Sequence, residues 1–266
     1  MKYKKISGGL RKKGFLKKDK KNLPLVSIIM VVLNNRKFIS KSIKSVISQK
    51  YKNYELIIID GGSKDGTIKI LKKNNLKIDL WISEKDKGLY DAMNKGIKLS
   101  RGSIISILNS DDVYYKNALK IAVSYFLNYK SIDFLFGSVI KHKLLTGYKP
   151  WKIYWSFGFY TAHSVGFFIK KKAHLKVGYY KLKYKYSADY DLFFRMIVKK
   201  KLKGMATKKN EVFGKFRRGG ISSHIPFKKF LNEICKIRLD NGQNKLLVLT
   251  IYLLKYLRHS INKFIG

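Results

Sequence analysis

Asp111 and Asp112 stand side by side after the apolar run at residues 104–108, in a chain with 58 Lys and Arg against 16 Asp and Glu. Neighbouring carboxylates at the end of a buried strand repel each other and are costly to desolvate. A divalent cation offsets both costs. Hard oxygen ligands suit Mg²⁺ or Mn²⁺, and Mg²⁺ takes only one or two protein carboxylates, leaving other positions to water and substrate phosphates. The pair therefore points to a metal-held nucleotide diphosphate, while capping of the next helix is the plainer use of an Asp at that place. A second acidic pair, Asp189 and Asp191, lies in Ala188-Asp189-Tyr190-Asp191, within a helical pattern. Acids at i and i+2 on a helix point to different sides, so only one of them can face a given substrate.

Such residues need elements to present them. From Pro24 onward, β-rich runs at residues 25–33, 54–60, 78–83, 103–108 and 133–140 alternate with helical-period segments at 38–48, after Thr67, at 90–99 and at 117–127. This alternation predicts βαβ units and a mostly parallel central sheet flanked by helices. Ligands of open α/β sheets sit beyond the carboxyl ends of the strands. Those ends carry Asn34-Asn35, then Asp60-Gly61-Gly62-Ser63-Lys64-Asp65-Gly66-Thr67, then Glu84-Lys85-Asp86-Lys87-Gly88, then Asn109-Ser110-Asp111-Asp112. Nine of the sixteen acids fall between Glu55 and Asp112, so acids gather on one edge of the sheet in a lysine-rich chain.

Four ordered stretches carry a family resemblance: VSIIMVVLNN, YELIIIDGGSKDGT, ISEKDKGLYDAMNKGI and GSIISILNSDD. Together they resemble the family 2 glycosyltransferases of the GT-A fold, and look closest to the colanic-acid, exopolysaccharide and O-antigen branch, over residues 25–225. The resemblance implies an inverting enzyme that moves a sugar from a nucleotide-diphosphate donor to a saccharide or polyprenyl-diphosphate-linked saccharide, in surface polysaccharide synthesis. It implies a nucleotide-binding half at 24–112, an acceptor-binding half at 113–225, and a helical extension at 226–266. Asn34, Asp60, Gly62 and Asp86 are then expected around the base and ribose, with Asn94 facing the donor. Asn109 replaces the first acid of the DXD motif, which leaves the metal to Asp112, with Asp111 towards the ribose or the metal. Asp189 is implied as general base, with Asp191 its competitor, since Ala188 stands where the family carries Glu. His163 is expected near the donor phosphates or the acceptor. Phe216-Arg217-Arg218-Gly219-Gly220-Ile221-Ser222 resembles a mobile loop in which Arg217 or Arg218 meets the diphosphate and Gly219 and Gly220 act as hinge. Trp151, Trp155 and Tyr160 either stack on an acceptor sugar or, more ordinarily, pack in the core.

A formal charge of +42 is expected to draw anionic company, although distributed lysine is also what an AT-rich coding sequence writes. A nucleic-acid-binding protein is the rival that charge alone suggests, but acids at four strand ends have no use there, and no nucleic acid is expected as partner. Cys235 is the single cysteine, which rules out an internal disulfide and fits a cytoplasmic setting. Residues 1–23, with ten basic side chains, read as a solvated tail. Two C-terminal helices are expected, at 227–238 and 245–258; the second is shorter than the roughly 20 residues a bilayer span requires. It is expected to lie at an anionic membrane surface, making the chain peripheral at the inner face of the cytoplasmic membrane.

Overall fold

The computed structural model describes residues 5–154, 159–217, 219–220 and 225–265, with side chains described to residue 261. Among the described residues there are twelve strands: β1 (Ile6–Gly8), β2 (Val26–Val32), β3 (Tyr54–Asp60), β4 (Leu80–Ser83), β5 (Ile104–Asn109), β6 (Val113–Tyr114), β7 (Phe134–Phe136), β8 (Ser138–Ile140), β9 (Leu144–Leu145), β10 (Phe167–Lys170), β11 (Gly204–Ala206) and β12 (Val212–Lys215). Eight α-helices accompany them among the same residues: α1 (Arg36–Ile47), α2 (Thr67–Lys73), α3 (Leu89–Leu99), α4 (Ala118–Asn128), α5 (Lys171–Val177), α6 (Ala188–Phe194), α7 (Phe227–Asp240) and α8 (Lys245–Ile265).

Eight strands form one sheet in the order β1-β4-β3-β2-β5-β10-β7-β11. The run β4-β3-β2-β5 is parallel, and β10 enters antiparallel to both β5 and β7. Every residue of β2 and β3 is buried, as a parallel sheet covered on both faces requires. Alternate residues feed two cores: Ile29, Val31, Ile57 and Ile59 on one face, and Ile28, Met30, Leu56 and Ile58 on the other.

Two expectations are corrected. The segment read as a solvated tail is part of the fold: β1 pairs antiparallel with β4, Arg11 forms an ion pair with Glu55, and Lys17 meets Asp79 at 2.9 Å. Glu55 and Asp79 are buried acids of the sheet and its approach, and the basic N-terminal residues neutralise them. The apolar run at 133–140 is two strands in different sheets, because the chain changes sheet at Gly137. A Cβ at Gly137 would lie 2.1 Å from the Phe213 ring, so only glycine lets β12 pass. The smaller sheet, β6-β12-β8-β9, begins directly after Asp112, so β12, paired to β6, delivers the loop that follows it onto the acidic pair.

Candidate functional site

The loops after β2 and β3 are laced together. Asn34 adopts a left-handed backbone (φ 48°), donates its N–H to Ser63 Oγ at 2.7 Å and accepts the Lys64 N–H at 2.8 Å on Oδ1. Asp65 accepts the Arg36 N–H at 2.8 Å, capping α1 from the neighbouring loop. An open cleft of about 540 Å³ lies here, lined by Asn34, Asn35, Arg36, Phe38 and Asp65 among others, which falls within the size range of ligand pockets.

Asp60, expected at the base or ribose, is instead fully buried. Its Oδ2 accepts from the Gly62 N–H (3.1 Å), the Ser63 N–H (3.0 Å) and the Ser83 hydroxyl (2.6 Å), and its Oδ1 from the Ser63 hydroxyl. A carboxylate so engaged shapes the loop, Gly62 included, and has little capacity left for a ligand. Asp86 is half-buried and stays accessible; burial raises its pKa, against the lowering effect of the Gly88 N–H it accepts at 2.9 Å. A Cβ at position 61 would sit 2.5 Å from Asp86 Oδ2. Gly61, where an acid is common in the resembled family, thus leaves the space that the Asp86 carboxyl occupies.

At the end of β5, Asp112 is 1% exposed. Its Oδ2 accepts the Ser164 hydroxyl and its Oδ1 the Arg217 N–H at 2.8 Å. Burial pushes its carboxyl up to about 7; these two donors pull it down and Asp111 adds to the rise. The Asp111 side chain is 18% exposed and lies 3.7 Å from the Arg217 guanidinium, which rests 3.5 Å above the Phe38 ring centroid. Burial raises the Asp111 pKa, and Arg217 opposes that rise. Asn109 Oδ1 is buried without a hydrogen-bond partner among the described residues. Gly220 reaches the same place, since a Cβ there would come within 3.4 Å of Asp111 Oδ2. The structure therefore brings together Asn109, Asp111, Asp112, Arg217 and Gly220, with Gly219 beside them in sequence; Arg218 lies outside the described residues.

Asp189 opens α6 in a cage of tyrosines. Its Oδ1 accepts the Tyr90 hydroxyl at 3.1 Å and the Tyr190 N–H at 2.9 Å, and no other described residue donates to it. Burial raises the Tyr90, Tyr160 and Tyr180 hydroxyls well above their ordinary pKa, and the Asp189 charge adds to each. His163 joins this cage, its Nε2 2.7 Å from the Tyr180 hydroxyl; burial lowers its pKa and Asp189 partly restores it. Asp191, expected as the competitor for the base, is excluded by its surroundings: it is fully buried and bound to Arg195 (2.8 Å), Lys181 (3.3 Å) and Asn241 (3.0 Å). Asn94, expected to face the donor, is also corrected. Its amide is used up on the backbone of Tyr180, donating to its carbonyl at 2.9 Å and accepting its N–H at 3.0 Å. Tyr160 packs in the core, Trp151 is exposed, and Trp155 lies outside the described residues.

Residues 27–202 match the model of glycosyl transferase family 2. The chain belongs to that family. Among curated relatives, this family 2 chain is 37% identical over 126 residues to the UDP-Glc:alpha-D-GlcNAc-diphosphoundecaprenol beta-1,3-glucosyltransferase WfgD of Escherichia coli, covering 46% of this chain and 49% of that one. It is 32% identical over 187 residues to an uncharacterized glycosyltransferase of Rickettsia prowazekii, covering 65% of this chain and 58% of that one. A PGL/p-HBAD biosynthesis glycosyltransferase of Mycobacterium tuberculosis is 28% identical over 228 residues, covering 79% of this chain and 84% of that one. The fold is shared with S. aureus TarS 1–349 in complex with UDP-GlcNAc (TM-score 0.63, 17% identity, covering 85% of this chain and 70% of that one). It is also shared with the mannosyltransferase PcManGT of Pyrobaculum calidifontis in complex with GDP-Man and Mn²⁺ (TM-score 0.62, 14% identity, covering 87% and 69%). The α/β architecture is thus the GT-A fold.

Within this family 2 fold, the residues around Asp111 suit a divalent cation by chemistry: two adjacent carboxylates, one of them accessible, and an unpartnered amide oxygen on Asn109. Among the described residues no three His, Cys, Asp or Glu side chains cluster tightly enough to hold an ion unaided, so a ligand's own oxygens would have to complete the shell. Three contributors escaped the sequence reading. Ser164 and Phe38 look like ordinary strand-flank and helix residues, and Tyr90 stood inside a motif read only as nucleotide-binding.

Proposed function

We propose that this chain is an inverting, metal-assisted glycosyltransferase that takes a sugar from a nucleotide diphosphate and passes it to a saccharide hydroxyl, on a free or lipid-linked acceptor. The observation that carries the reading is the pairing of two unlike carboxylate stations: Asp111-Asp112 at the end of β5, and Asp189 in a tyrosine cage at the start of α6. Single displacement needs this separation of labour, with the leaving group steadied on one side and the acceptor proton removed on the other. Asp111 and Asp112 would hold Mg²⁺ or Mn²⁺, which as a Lewis acid offsets the charge that develops on the departing diphosphate.

The chain's own residues supply the rest. Asn34 and, from the first turn of α1, Arg36 and Phe38 line the cleft for the nucleotide, where the Arg36 guanidinium is a cation for an anionic ligand. Asp86, the accessible acid beside Gly61, is the residue placed to accept from the base or ribose. Arg217 stands beside Asp111, within reach of a diphosphate bound there. Asp189 accepts the acceptor hydroxyl proton, with the Tyr90 hydroxyl and the Tyr190 N–H fixing one of its oxygens and leaving the other to the sugar. WfgD, by its name, uses UDP-Glc and a diphosphoundecaprenol-linked acceptor, which supports a lipid-linked saccharide as acceptor here.

A thermal-shift panel of UDP, GDP, dTDP and CMP, each with and without Mn²⁺, tests the donor site. A ligand at 100 times its dissociation constant stabilises the native state by about 2.7 kcal/mol. One diphosphate should stabilise the wild type only with Mn²⁺, and Asp111→Ala should lose that effect. If no nucleotide binds under any condition, the reading fails. Binding without turnover on any lipid-linked saccharide would mark a nucleotide-sugar-binding relative that has lost catalysis, a reading that Ala188 in the place of the family's Glu favours.

A further inference from the structure

We infer that α8 docks the enzyme on an anionic lipid bilayer and, through α7, sets the position of the loop that leads into α6 and Asp189. This inference rests on the proposed lipid-linked acceptor for its purpose, but not for its observations.

Helix α8 is two-sided in an unusual way. Val248 and Ile251 are buried against the body of the protein, whereas Leu246 (74% exposed), Leu249, Leu253, Leu254, Leu257 and Ile261 (54%) are bare. At 3.6 residues per turn these six positions fall within an arc of about 140°, opposite the buried pair. Only Thr250, whose hydroxyl is turned back onto the Leu246 carbonyl (2.9 Å), and the half-buried Ser260 interrupt this arc, and an apolar arc of this kind on one helix is a contact surface, unlike the scattered exposed leucines found on most proteins. Lys245 and Arg258 fall just outside the two margins of the arc, and no Asp or Glu follows Asp240 in the sequence.

The charge decides the occupant. A second copy laid on the same arc would bring one row of cations against another, in a chain that already carries +42. An anionic bilayer answers both parts of the surface: its acyl boundary takes the leucines and its headgroups take the lysines and arginines. No described helix is long and apolar enough to cross a membrane, so α8 lies along the surface. The exposed Tyr154 adjoins the α7–α8 junction, where Arg238 and Gln243 both donate to its carbonyl (2.7 and 3.1 Å), and the exposed Trp151 precedes it in the same short helical turn. Aromatic residues with one polar edge suit that interfacial depth.

A physical connection runs from this surface to the site. Phe227 of α7 stacks on His259 of α8 with ring centroids 3.9 Å apart. Glu233 of α7 accepts three consecutive backbone N–H groups, those of Lys185, Tyr186 and Ser187, each at 2.7 Å. Asn241, at the end of α7, holds Asp191. The helix under α8 therefore grips residues 185–187 and Asp191, on either side of Asp189, which places the acceptor side of the site next to the surface where a lipid-linked saccharide is presented.

The test is co-flotation of the full chain with vesicles of phosphatidylglycerol and phosphatidylethanolamine, compared with phosphatidylcholine vesicles, for the wild type and for Leu253→Glu/Leu257→Glu. Both positions are exposed, so the variant should fold, which its thermal unfolding checks. Wild type should float with anionic vesicles, and the variant should lose at least about tenfold in partitioning. Equal flotation of wild type and variant would mean that net charge alone holds the protein, and would overturn the inference. So would a wild type that does not float but is a dimer, dissociated by the same substitutions. Nucleotide binding in solution, followed in the same samples, stands apart from flotation; its loss would count against the proposed reaction and not against the membrane surface.

Discussion

Raising the pH should destabilise the metal-free protein through Asp112, and the size of the effect follows from its surroundings. The carboxyl is 1% exposed and burial pushes it up to about 7, against the combined pull of Ser164, the Arg217 N–H and Lys141. The folded state therefore holds this proton more tightly than the unfolded chain, whose value is the ordinary 3.8. Its contribution to stability is fully present below the unfolded value and is lost as pH rises through the folded one. A gap of about three pH units corresponds to about 4 kcal/mol, of which about 3 falls between roughly pH 5 and pH 8.5. For a chain of this size that is a fall in Tm of about 5 °C. Other buried acids also titrate, so the measurement is a difference: thermal unfolding with chelator, at both pH values, for wild type and for Asp112→Asn. Asn keeps the shape and cannot ionise, so the variant should show a fall smaller by that amount. Excess Mn²⁺, which needs the carboxylate form, should return stability to the wild type more at the higher pH. Superimposable pH dependences for wild type and Asp112→Asn would refute the reasoning.

Removing the carboxylate in Asp189→Asn should lower kcat by about 10²–10⁴-fold, the range for loss of a general base, with donor binding unchanged by calorimetry. Tyr90→Phe deletes a charge-assisted hydrogen bond of about 1.5–3 kcal/mol, so kcat should fall by about tenfold to a hundredfold while donor KM holds. Asn94→Ala should behave like Tyr90→Phe in steady-state kinetics, because its amide binds the Tyr180 backbone and not the nucleotide; a rise in donor KM alone would contradict this. Arg11→Ala leaves Glu55 buried without its ion pair and should cost about 3–5 kcal/mol in chemical denaturation, far more than loss of a tail residue would. Gly61→Asp should lower Tm by pressing a carboxyl on that of Asp86, and Gly61→Asp/Asp86→Gly should recover most of the loss.

The parallel half of the sheet was legible because burial on both faces writes continuous β-branched runs: the run at 54–60 is β3 to the residue, and 25–33 contains β2. The same logic misread 133–140, where apolar character continues through Gly137 although the chain changes sheets. At the N-terminus, composition suggested solvation, since nothing local shows that Arg11 and Lys17 meet Glu55 and Asp79, which are 44 and 62 residues away. The acids of the site were readable as acids at strand ends, but not by state. Asp60 and Asp191 are saturated by protein donors, while Asp86, Asp111 and Asp189 keep capacity, and that distinction is made by side chains from other loops.

Helix α3 explains why one motif served two purposes. Read along the chain, Asp86 to Asn94 is a single stretch, and nucleotide binding at its first residue suggested the same for the rest. In the fold, Asp86 precedes the helix and sits against Gly61 of the loop after β3, whereas Tyr90 and Asn94 are one turn apart on a helix face that meets residues 180–189. Tyr90 holds Asp189 and the Tyr186 carbonyl; Asn94 holds both backbone groups of Tyr180. A helix of 11 residues thus fixes Asp189, the proposed base, relative to the loop after β3. The proposed displacement between two substrates would require that register, because reacting atoms must be brought to near contact distance in line. The loop at residues 185–187 is gripped from the other direction by Glu233 of α7, so Asp189 is positioned by two elements, α3 and α7, from opposite directions.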